Sequence, residues 1–488
     1  MPRQGVNARD STLDAPGGTD VAVVGAGVAG LTCALALARL GLRVEVFERE
    51  RHLGGRAASW KDRATGDAID IGPHVVTTEH RNFLRLLESL GTRRRIRWQP
   101  EPMITLLDEH QVLRIHSWRL PTPLQGLPNL RQTLRRVGLR DVLSNVRVAA
   151  LAAPLDEAAT LAYDRLDALS LLREQGVSQR FIDWFWTPTC LALLNVPLER
   201  CSAAALLRLF RLMLGRSGYH FGFPDCGLSE LYAEPARAAI EAAGGCVRRR
   251  TEIVGVVLRE GRFIGLQTAD GATHRARCTL LALPPDALGA LRLPWTPRAV
   301  QRFEPSAYVS TVLWFDRRIT TERFWARIWK PGDLNMDFYD LANIRSPAPR
   351  AGSVIASNAI HARAAFDLPD AEITSRTLAE IVDFAPSART ATLRHAVVHR
   401  IPLAVPCPVP GSERLRPTNR TRLDGLWIAG DWTRTGLPAS MESAARSGAL
   451  AAEEIAVRFG HRVAIAEPAV DTVGAVGLLR RASTAAPA

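Results

Sequence analysis

Three glycines near the start of the chain, Gly25, Gly27 and Gly30, have the spacing G-x-G-x-x-G. The apolar run Val21–Val24 before them predicts a buried strand, and residues 31–40 after them predict a helix. In this arrangement Gly25 permits a tight turn, Gly27 lets the backbone approach a pyrophosphate, and Gly30 allows the helix to pack on the strand. The amides at the helix N-terminus would attract the phosphates. The chemistry predicted here is the binding of a dinucleotide.

Further polar groups follow the next predicted strand, residues 44–47. Glu48 stands at the carboxyl end of that strand, where an acid binds a ribose hydroxyl. In Gly54-Gly55-Arg56 the glycines allow close backbone approach and the arginine presents a planar fork to a phosphate. A glycine-proline bend then ends in His74, which taken alone is more typical of a structural histidine than of a catalytic one.

Two later stretches fit the same ligand. Residues 426–431 predict a strand that ends in Gly430-Asp431, and an alanine-rich helix is predicted from Ser443 to Phe459. The stretch Cys246–Leu258 is apolar and predicts another strand element.

Length and composition place limits on the fold and on the cell compartment. A chain of 488 residues suggests two or three domains, and 47% apolar with 23% charged residues is ordinary for a globular protein. No run of eighteen uncharged apolar residues predicts a transmembrane helix, and the polar N-terminus does not resemble a signal peptide. Seven widely spaced cysteines without Cys-x-x-Cys favour the cytoplasm and argue against disulfides or a metal site.

The net charge of +13 does not by itself indicate nucleic-acid binding. Nearly all the positive charge is arginine, and no cluster lies in a recognisable nucleic-acid module. One cluster alternates with apolar residues such as Leu130 and Leu143, and contains Arg131, Arg135, Arg136 and Arg140. That pattern is typical either of a helix on an anionic membrane surface or of an ordinary core-facing helix, and both interpretations stay open.

The remaining segments would select the substrate. Residues 96–224 are largely helical by pattern, including an aromatic helix at 178–192 and a helix capped by Ser202 and closed by Gly215. Such apolar stripes are usually core, although a tunnel for a hydrocarbon has the same composition. Residues 308–315 and 354–359 predict strands, and the prolines from Pro402 to Pro410 predict an extended loop.

In this order the motifs resemble the superfamily of flavin-dependent amine oxidases and phytoene desaturases. The resemblance implies an FAD cofactor, whose phosphates the Gly-Gly-Arg loop contacts and whose ring Gly72 approaches. It implies a backbone contact from Val254 to adenine. The implied cofactor-binding residues are Gly25, Gly27, Gly30, Glu48, Gly55, Arg56, Gly72, Val254, Gly430, Asp431 and Met441.

We therefore expect an α/β fold with a discontinuous Rossmann-like FAD-binding domain and an inserted α+β substrate domain. The expected FAD-binding segments are 19–95, 225–290 and 421–460. The expected substrate segments are 96–224 and 291–420, and the ends, 1–18 and 461–488, are expected to be peripheral tails.

A narrower resemblance is to the squalene-associated branch, the hydroxysqualene dehydroxylases. It rests on stretches such as 183–188 and on Gly436-Leu437-Pro438-Ala439-Ser440-Met441-Glu442. The branch has Asn-Gly-Gln-His where this chain has Ile71-Gly72-Pro73-His74, which is closer to other desaturases.

That branch implies reductive removal of an allylic hydroxyl from a C30 isoprenoid, giving squalene for hopanoid synthesis. The reaction needs a hydride from reduced flavin and a proton donor, for which the candidates are His74 and then Glu442. The expected partner is an isoprenoid lipid, met in the cytoplasm or at the inner face of the membrane. The electron donor is not indicated by any motif.

Three alternatives remain at this stage. A carotenoid-type desaturase would use the same cofactor residues and remove a hydride from the substrate. An amine oxidase would need a small pocket, which is often framed by tyrosines. The chain has only five tyrosines, which argues against this alternative. A relative of the escort proteins of prenylated GTPases would share the fold without redox chemistry, although Arg56 and Gly430-Asp431 argue against it.

Overall fold

The computed structural model describes residues 18–120, 124–215, 219–260, 262–291, 293, 296–350 and 352–468. Most of the two predicted tails, residues 1–17 and 469–488, therefore lies outside the described residues. The strands are β1 Thr19–Val24, β2 Val44–Glu48, β3 Ser59–Lys61, β4 Ala68–Asp70, β5 Val76–Thr77, β6 Ile96–Trp98, β7 Ile104–Asp108, β8 Gln111–Ile115, β9 Phe221–Pro224, β10 Cys246–Arg249, β11 Ile253–Arg259, β12 Arg262–Thr268, β13 Thr273–Leu281, β14 Pro305–Phe315, β15 Phe324–Arg327, β16 Asp337–Asp340, β17 Val354–Ala359, β18 Leu393–Pro406 and β19 Leu426–Ile428.

The α-helices range from one turn to five. They are α1 Val28–Arg39, α2 Arg81–Ser89, α3 Leu127–Val137, α4 Leu139–Leu143, α5 Val146–Ala152, α6 Glu157–Thr160, α7 Ala168–Glu174, α8 Gln179–Phe181, α9 Thr187–Leu194, α10 Ala203–Gly215, α11 Glu234–Ala242, α12 Pro285–Ala290, α13 Leu341–Ile344, α14 Asp370–Phe384 and α15 Met441–Arg458.

The first sheet is the predicted Rossmann-like unit. Its parallel strands lie in the order β10-β2-β1-β13-β19, and β12 and β11 extend it in antiparallel fashion. Numbered along the chain, the five parallel strands have the order 3-2-1-4-5 that characterises dinucleotide-binding sheets. Buried residues of α1, α11 and α15 form one core with this sheet. The expected α/β class is confirmed.

The apolar stretch Cys246–Leu258, predicted as one element, is two strands. Arg250 between them has φ 54°, and the amide of Thr251 donates to the Glu48 carbonyl at 2.9 Å. The chain thus turns over the end of β2, so that β10 joins the parallel strands and β11 begins an antiparallel hairpin. Periodicity alone did not reveal this break, because both halves are extended strands and only the backbone turn at Arg250 separates them.

The second sheet has the order β18-β14-β17-β16-β15-β7-β8. Two predictions are wrong here. Residues 104–115, expected within a helical region, form β7 and β8, and β7 pairs with β15 from far along the chain. The first half of the proline-rich run expected as a loop is the end of β18, which extends through Pro406, whereas residues 407–410 lie outside the strand as predicted. Because β18 lies at the sheet edge, its prolines remove no hydrogen bond from the ladder.

The helical part, α3 to α10, packs around a core that contains Trp186 and Leu206. The strands predicted at 308–315 and 354–359 are confirmed as β14 and β17, and the helix predicted between Ser202 and Gly215 is confirmed as α10. Between α8 and α9 the chain forms a π-helical turn, Ile182–Trp186.

The described residues also bear on the state of the cysteines and on the presence of a membrane-spanning helix. All seven cysteines are free thiols, and six of them are buried. Within the described ranges, no helix is long and apolar enough to cross a membrane. The same part of the chain holds no group of three or more His, Cys, Asp or Glu side chains arranged to bind a metal ion.

Candidate cofactor site

The three motif glycines have three different surroundings. Gly25 has φ 97°, and a Cβ there would lie 2.5 Å from the Ala282 carbonyl oxygen. A Cβ on Gly30 would lie 1.9 Å from the Gly25 carbonyl oxygen, so only glycine lets α1 approach the strand this closely. A Cβ on Gly27 would meet no atom within 4 Å. The protein therefore leaves open space beside Gly27, at the N-terminus of α1, where a pyrophosphate would bind.

Glu48 is buried against the glycine turn. Its Oε2 accepts a hydrogen bond from the Ala26 amide at 2.8 Å, and its Oε1 accepts one from the Glu50 amide at 2.9 Å. These bonds fix the carboxylate beside the turn, at the end of β2, where the sequence predicts a ribose contact. That contact stays a prediction.

The Gly-Gly-Arg loop lies directly over the glycine turn. The Gly54 amide donates to the Ala26 carbonyl at 2.9 Å, and a Cβ on Gly55 would lie 3.5 Å from the Gly27 Cα. The buried hydroxyl of Tyr232 donates to the Gly54 carbonyl at 2.9 Å. Tyr232 was not indicated by the sequence, because it lies 178 residues away from this loop.

Arg56 and Asp431, two residues predicted to hold the cofactor from opposite ends of the chain, contact each other. Nη2 of Arg56 donates to Oδ1 of Asp431 at 2.7 Å, and Nη1 donates to the Ala404 carbonyl at 3.2 Å. The Asp431 side chain is buried, whereas Arg56 is partly exposed. The structure thus brings the two motifs to one place, although it does not test which ligand atoms they bind.

The loop before α15 supplies the C-terminal part of the site. The helix begins at Met441, two residues before the predicted start, because the Ser440 hydroxyl caps it by accepting from the Ser443 amide at 3.1 Å. The Gly430 amide donates to Ser447 Oγ at 3.0 Å, and Ser443 Oγ donates to the Asp431 carbonyl at 3.1 Å. The first two turns of α15 therefore hold Gly430-Asp431 in position.

A buried ionic network supports the same loop and was missed by the sequence analysis. Arg416 donates to the carbonyl oxygens of Thr433 and Leu437, both at 2.9 Å, and also to the Asp431 carbonyl. Glu413 pairs with Arg416 and with Arg208 of α10. Burial opposes ionisation of Glu413, but the two guanidinium groups hold its pKa below the ordinary value. No local motif marks this triad, in which Arg208 lies 205 residues from Glu413.

The segment Gly72–His74 lies against the second sheet. A Cβ on Gly72 would lie 3.1 Å from Oδ1 of Asn358 in β17, so a side chain there would press on that residue. His74 Nδ1 lies 2.7 Å from the Gly72 carbonyl oxygen. A carbonyl only accepts, so Nδ1 carries a proton and donates. Burial lowers the pKa of His74, partly opposed by Asp70 and by the Gly72 carbonyl. The ring is therefore neutral near pH 7, its Nε2 is an acceptor, and the predicted role of proton donor is not supported.

Glu442, the second predicted proton donor, has a structural role. Its Oε1 accepts from the amide and the side-chain nitrogen of Asn82, at 3.1 and 2.7 Å, and its Oε2 accepts from the Phe83 amide at 2.9 Å. Burial raises the pKa of Glu442, and these bonds partly oppose the rise. Both oxygens satisfy the first amides of α2, so the structure gives Glu442 a capping role, and its role as a proton donor stays a prediction.

Val254 is the second residue of β11, immediately beyond the turn that passes over Glu48. Its side chain is 45% exposed, and the neighbouring Ile253 is buried. The backbone contact that the resemblance implies for Val254 stays a prediction.

The open space at Gly27, the acid at the end of β2 and the convergence of three distant loops define a dinucleotide-binding α/β protein. The chain belongs to the family of flavin containing amine oxidoreductases, whose family model matches residues 28–456. FAD is accordingly the cofactor, and the residues around Gly27 fit its pyrophosphate. The protein is an FAD-dependent oxidoreductase.

Similar proteins extend along nearly the whole chain. The chain is 26% identical to 15-cis-phytoene desaturase of Synechococcus elongatus, over 90% of this chain and 96% of that one. It is 30% identical to carotenoid phi-ring synthase of Streptomyces griseus, over 92% of this chain and 90% of that one.

Solved structures show the same fold. Cyclohexylamine oxidase of Brevibacterium oxydans matches with a TM-score of 0.67 and 20% identity, over 91% of this chain and 100% of that one. Putrescine oxidase matches with a TM-score of 0.68 and 18% identity, over 91% and 99% of the two chains. At this identity the likeness concerns the fold alone.

Proposed function

We propose that this flavoprotein acts on a long isoprenoid hydrocarbon and oxidises it by desaturation. The observation that carries the proposal is the similarity, over about nine tenths of both chains, to a phytoene desaturase and to a carotenoid ring synthase. This reverses the order of the sequence-based expectations, which put reductive dehydroxylation of hydroxysqualene first.

The two predicted proton donors also bear on this order. Dehydroxylation needs a group that protonates the leaving oxygen. His74 is neutral and presents an acceptor nitrogen, and both oxygens of Glu442 are bound to α2. Desaturation needs the opposite, a group that takes a proton from the substrate after a hydride has left. The hydrogen bonding of these two groups therefore suits desaturation better than proton donation by either of them.

Within this reaction the chain supplies binding, orientation and exclusion of water. The FAD, when bound, supplies a two-electron acceptor for hydride. The glycine turn, Glu48, Arg56 and Asp431 hold it at the first sheet. The second sheet, on which Gly72 rests, provides the opposite wall, where the hydrocarbon would meet the ring.

A membrane surface is the proposed source of the substrate. The segment α3–α5 exposes five apolar side chains between 37% and 60%, which we call the apolar patch: Leu127, Leu130, Leu139, Leu143 and Val146. Arg131, Arg135, Arg140 and Arg147 are exposed in the same segment. Apolar side chains that enter the acyl boundary beside arginines that pair with anionic lipid headgroups favour the membrane-surface interpretation over a core-facing helix.

The patch can be tested by vesicle flotation. The protein should float with vesicles containing phosphatidylglycerol and less with pure phosphatidylcholine. Replacement of Leu139 and Leu143 by serine should reduce flotation, whereas the same change at Val112, which is exposed on β8, should not. Equal flotation of all variants would contradict the proposal.

Product analysis tests the reaction itself. The FAD-loaded protein would be incubated with phytoene and a quinone, and separately, after reduction by dithionite, with hydroxysqualene. We expect products of phytoene that have lost pairs of hydrogens and absorb at longer wavelength, with flavin-free protein as the control. Squalene from the second incubation, with phytoene unchanged, would overturn desaturation in favour of dehydroxylation. Oxidation of a small amine alone would overturn both.

A further inference from the structure

Four polar residues form a line across the second sheet. His399 of β18 lies opposite Ser310 of β14, Ser310 lies opposite Asn358 of β17, and Asn358 lies opposite Asp337 of β16. Directly opposed residues project from the same face of a sheet. We call this line the polar row.

The polar row lies under the cofactor-domain segment Gly72–Pro73. A Cβ on Gly72 would lie 3.1 Å from Asn358 Oδ1 and 3.7 Å from Ser310 Oγ, and Asn358 Nδ2 donates to the Pro73 carbonyl at 3.3 Å. The row is thus part of the wall that the second sheet presents to the cofactor domain.

Three atoms of the row have no hydrogen-bond partner among the described residues. They are His399 Nε2, Asn358 Oδ1 and Asp337 Oδ1, and all three are buried. An unpaired buried polar atom costs free energy, and here three such atoms lie in one row, beneath Gly72–Pro73. They indicate that a polar or charged species meets this face at some point of the reaction.

Asp337 is the acid of the row. Its Oδ2 accepts from the Tyr339 hydroxyl at 2.9 Å. Burial raises the pKa of Asp337 to about 6, and Tyr339 and Asn358 partly oppose the rise. The residue as a whole is only partly buried, whereas its Oδ1 atom is buried. A carboxyl group that titrates near neutrality can take up or release a proton during turnover.

The other groups around Asp337 do not titrate near neutrality. Tyr339 on the same strand and Tyr308 on β14 have pKa values raised well above 10 by burial first and by Asp337 second. Asn358 and, on β15, Ala326 are the residues opposite Asp337 in the neighbouring strands, and neither is ionisable. His399, at the other end of the row, has a pKa lowered by burial, which Asp62 partly opposes. Asp337 is thus the acid of the row, and no residue directly opposite it is ionisable.

Asp340, three residues along the same strand, is a closed counterpart. Burial raises its pKa to about 6 as well, with Ser353 partly opposing the rise. Its oxygens accept from the amides of Ala342 and Val354 and from the Ser353 hydroxyl, at 3.0, 3.2 and 2.7 Å. It lies on the opposite face of the sheet because strand residues alternate. Burial of an acid in this sheet thus does not by itself leave an oxygen unpaired.

We propose that Asp337 is the residue that exchanges a proton with the substrate, an inference that rests on the proposed function. In desaturation, one C–H bond breaks and its electron pair leaves as hydride to the oxidised FAD. The neighbouring C–H bond then breaks, its electron pair forms the C=C bond, and its proton goes to the Asp337 carboxylate. The substrate loses two electrons, the FAD gains them, and the proton passes from Asp337 to water.

The test follows the anaerobic bleaching of flavin by phytoene in single turnovers of the FAD-loaded enzyme. Asp337→Asn should keep the flavin content and the melting temperature but slow bleaching by about 100-fold. In the wild type the rate should rise with pH through about 6, because the carboxylate is the acceptor. The variant should lack this rise, and Asp337→Glu should restore part of the rate. Asp340→Asn is the control, which should alter stability and leave the pH profile in place.

The outcomes separate the two proposals. Bleaching of Asp337→Asn within about threefold of the wild type, with the pH dependence intact, would overturn the assignment of Asp337 and leave desaturation standing. If wild-type enzyme does not react with phytoene but the dithionite-reduced enzyme converts hydroxysqualene, desaturation fails. Asp337 would then be the donor to the leaving hydroxyl, and unchanged squalene formation by Asp337→Asn would overturn that. An enzyme inert to both substrates would overturn both proposals.

Discussion

Buried acids on the two sheets of this molecule differ in their hydrogen-bond partners. Around the first sheet, both oxygens of Glu48 accept main-chain amides, and the Asp431 side chain pairs with Arg56. On the second sheet, the polar row leaves unpaired atoms on His399, Asn358 and Asp337. The two acids of the first region have partners within the protein, whereas three atoms of the polar row have none among the described residues.

This difference fits the two tasks that the regions would have. A cofactor site must hold one ligand through every turnover, and fixed partners reduce the cost of organising it. A site of reaction must change its protonation or its contacts during the cycle, and a carboxyl group without a full set of donors can do so. If this view is right, substitutions around the first sheet should disturb folding or FAD binding. Substitutions in the polar row should mainly disturb the reaction.

The largest effect, on folding and on FAD binding, is expected at Gly30 and Gly27, which follow β1. Gly30→Ala places a methyl group 1.9 Å from the Gly25 carbonyl, so α1 must move off the sheet, and we expect no folded holoenzyme. Gly27→Ala meets no protein atom and is already in a conformation open to alanine, with φ −80°. It should fold normally but bind FAD at least about tenfold more weakly, because the methyl group enters the phosphate space.

The measurement is flavin absorbance per protein, together with thermal melting of the flavin-free proteins. Normal melting of Gly27→Ala separates a ligand effect from a folding effect. A Gly30→Ala protein that retained FAD like the wild type would show that α1 does not need the close approach.

The second effect concerns Glu442 and is a loss of stability. Glu442→Ala leaves three donors of Asn82 and Phe83 without acceptors in a buried place, which should lower the free energy of unfolding by about 3 kcal/mol. Activity per bound flavin should stay near that of the wild type, since the carboxylate is a cap. Glu372→Ala, in the exposed first turn of α14, is the control and should cost under about 1 kcal/mol. A fall in activity without a fall in stability would return Glu442 to the reaction.

The third effect is a pH dependence of stability, and it concerns Asp340, the fully hydrogen-bonded acid of the second sheet. Its pKa is about 6 in the folded protein and about 4 when unfolded, so the folded state binds the proton more tightly. This contribution to stability is therefore full below pH about 4 and is lost as the pH rises through about 6. We expect it to amount to about 3 kcal/mol.

Denaturant unfolding between pH 4 and pH 7.5 measures this slope. Asp340→Asn should flatten the curve by that amount while lowering stability overall at pH 4. Surface acids such as Asp383, replaced by asparagine, should leave the slope as it is. A slope that is the same in Asp340→Asn and the wild type would mean that its carboxyl group is already ionised when folded.

The sequence made the first region predictable because its signals are local. Gly25, Gly27 and Gly30 act within six residues, and Glu48 follows at the end of the next strand, so pattern and spacing suffice. Resemblance was needed to connect them with Asp431, which lies 375 residues from Arg56. The network of Arg208, Glu413 and Arg416 has neither aid, and only folding brings its members together.

The second region was not predictable for a different physical reason. The polar row takes one residue from each of four strands, and the register of the sheet alone aligns them. A shift of one residue in any strand would turn its member to the other face. Sequence patterns identified β14 and β17 as strands but could not specify this register. Asp337 and Asn358 therefore passed unnoticed, while His74, next to a recognisable motif, received more weight than its chemistry supports.

The smallest effect is expected at Arg56, on the outer side of the cofactor region. Its side chain keeps 32% of its surface exposed, so its charge is partly screened by solvent. Arg56→Ala should weaken FAD binding by only about tenfold, or about 1.4 kcal/mol, measured by titration of the flavin-free protein. Arg63→Ala, an exposed arginine shortly after the same loop, is the control and should leave the affinity unchanged.

A second substitution, at Asp431, shows whether Arg56 acts through its ion pair or on the cofactor. If the ion pair serves to hold the loop before α15, Arg56→Ala leaves Asp431 buried without its partner, and Asp431→Asn should then recover part of the lost affinity. If Arg56 acts on the cofactor alone, the two losses should add. Additive losses of FAD affinity would mean that the pair of Arg56 and Asp431 does not hold the loop before α15. The difference between the two regions would then be supported only by the unpaired atoms of the polar row.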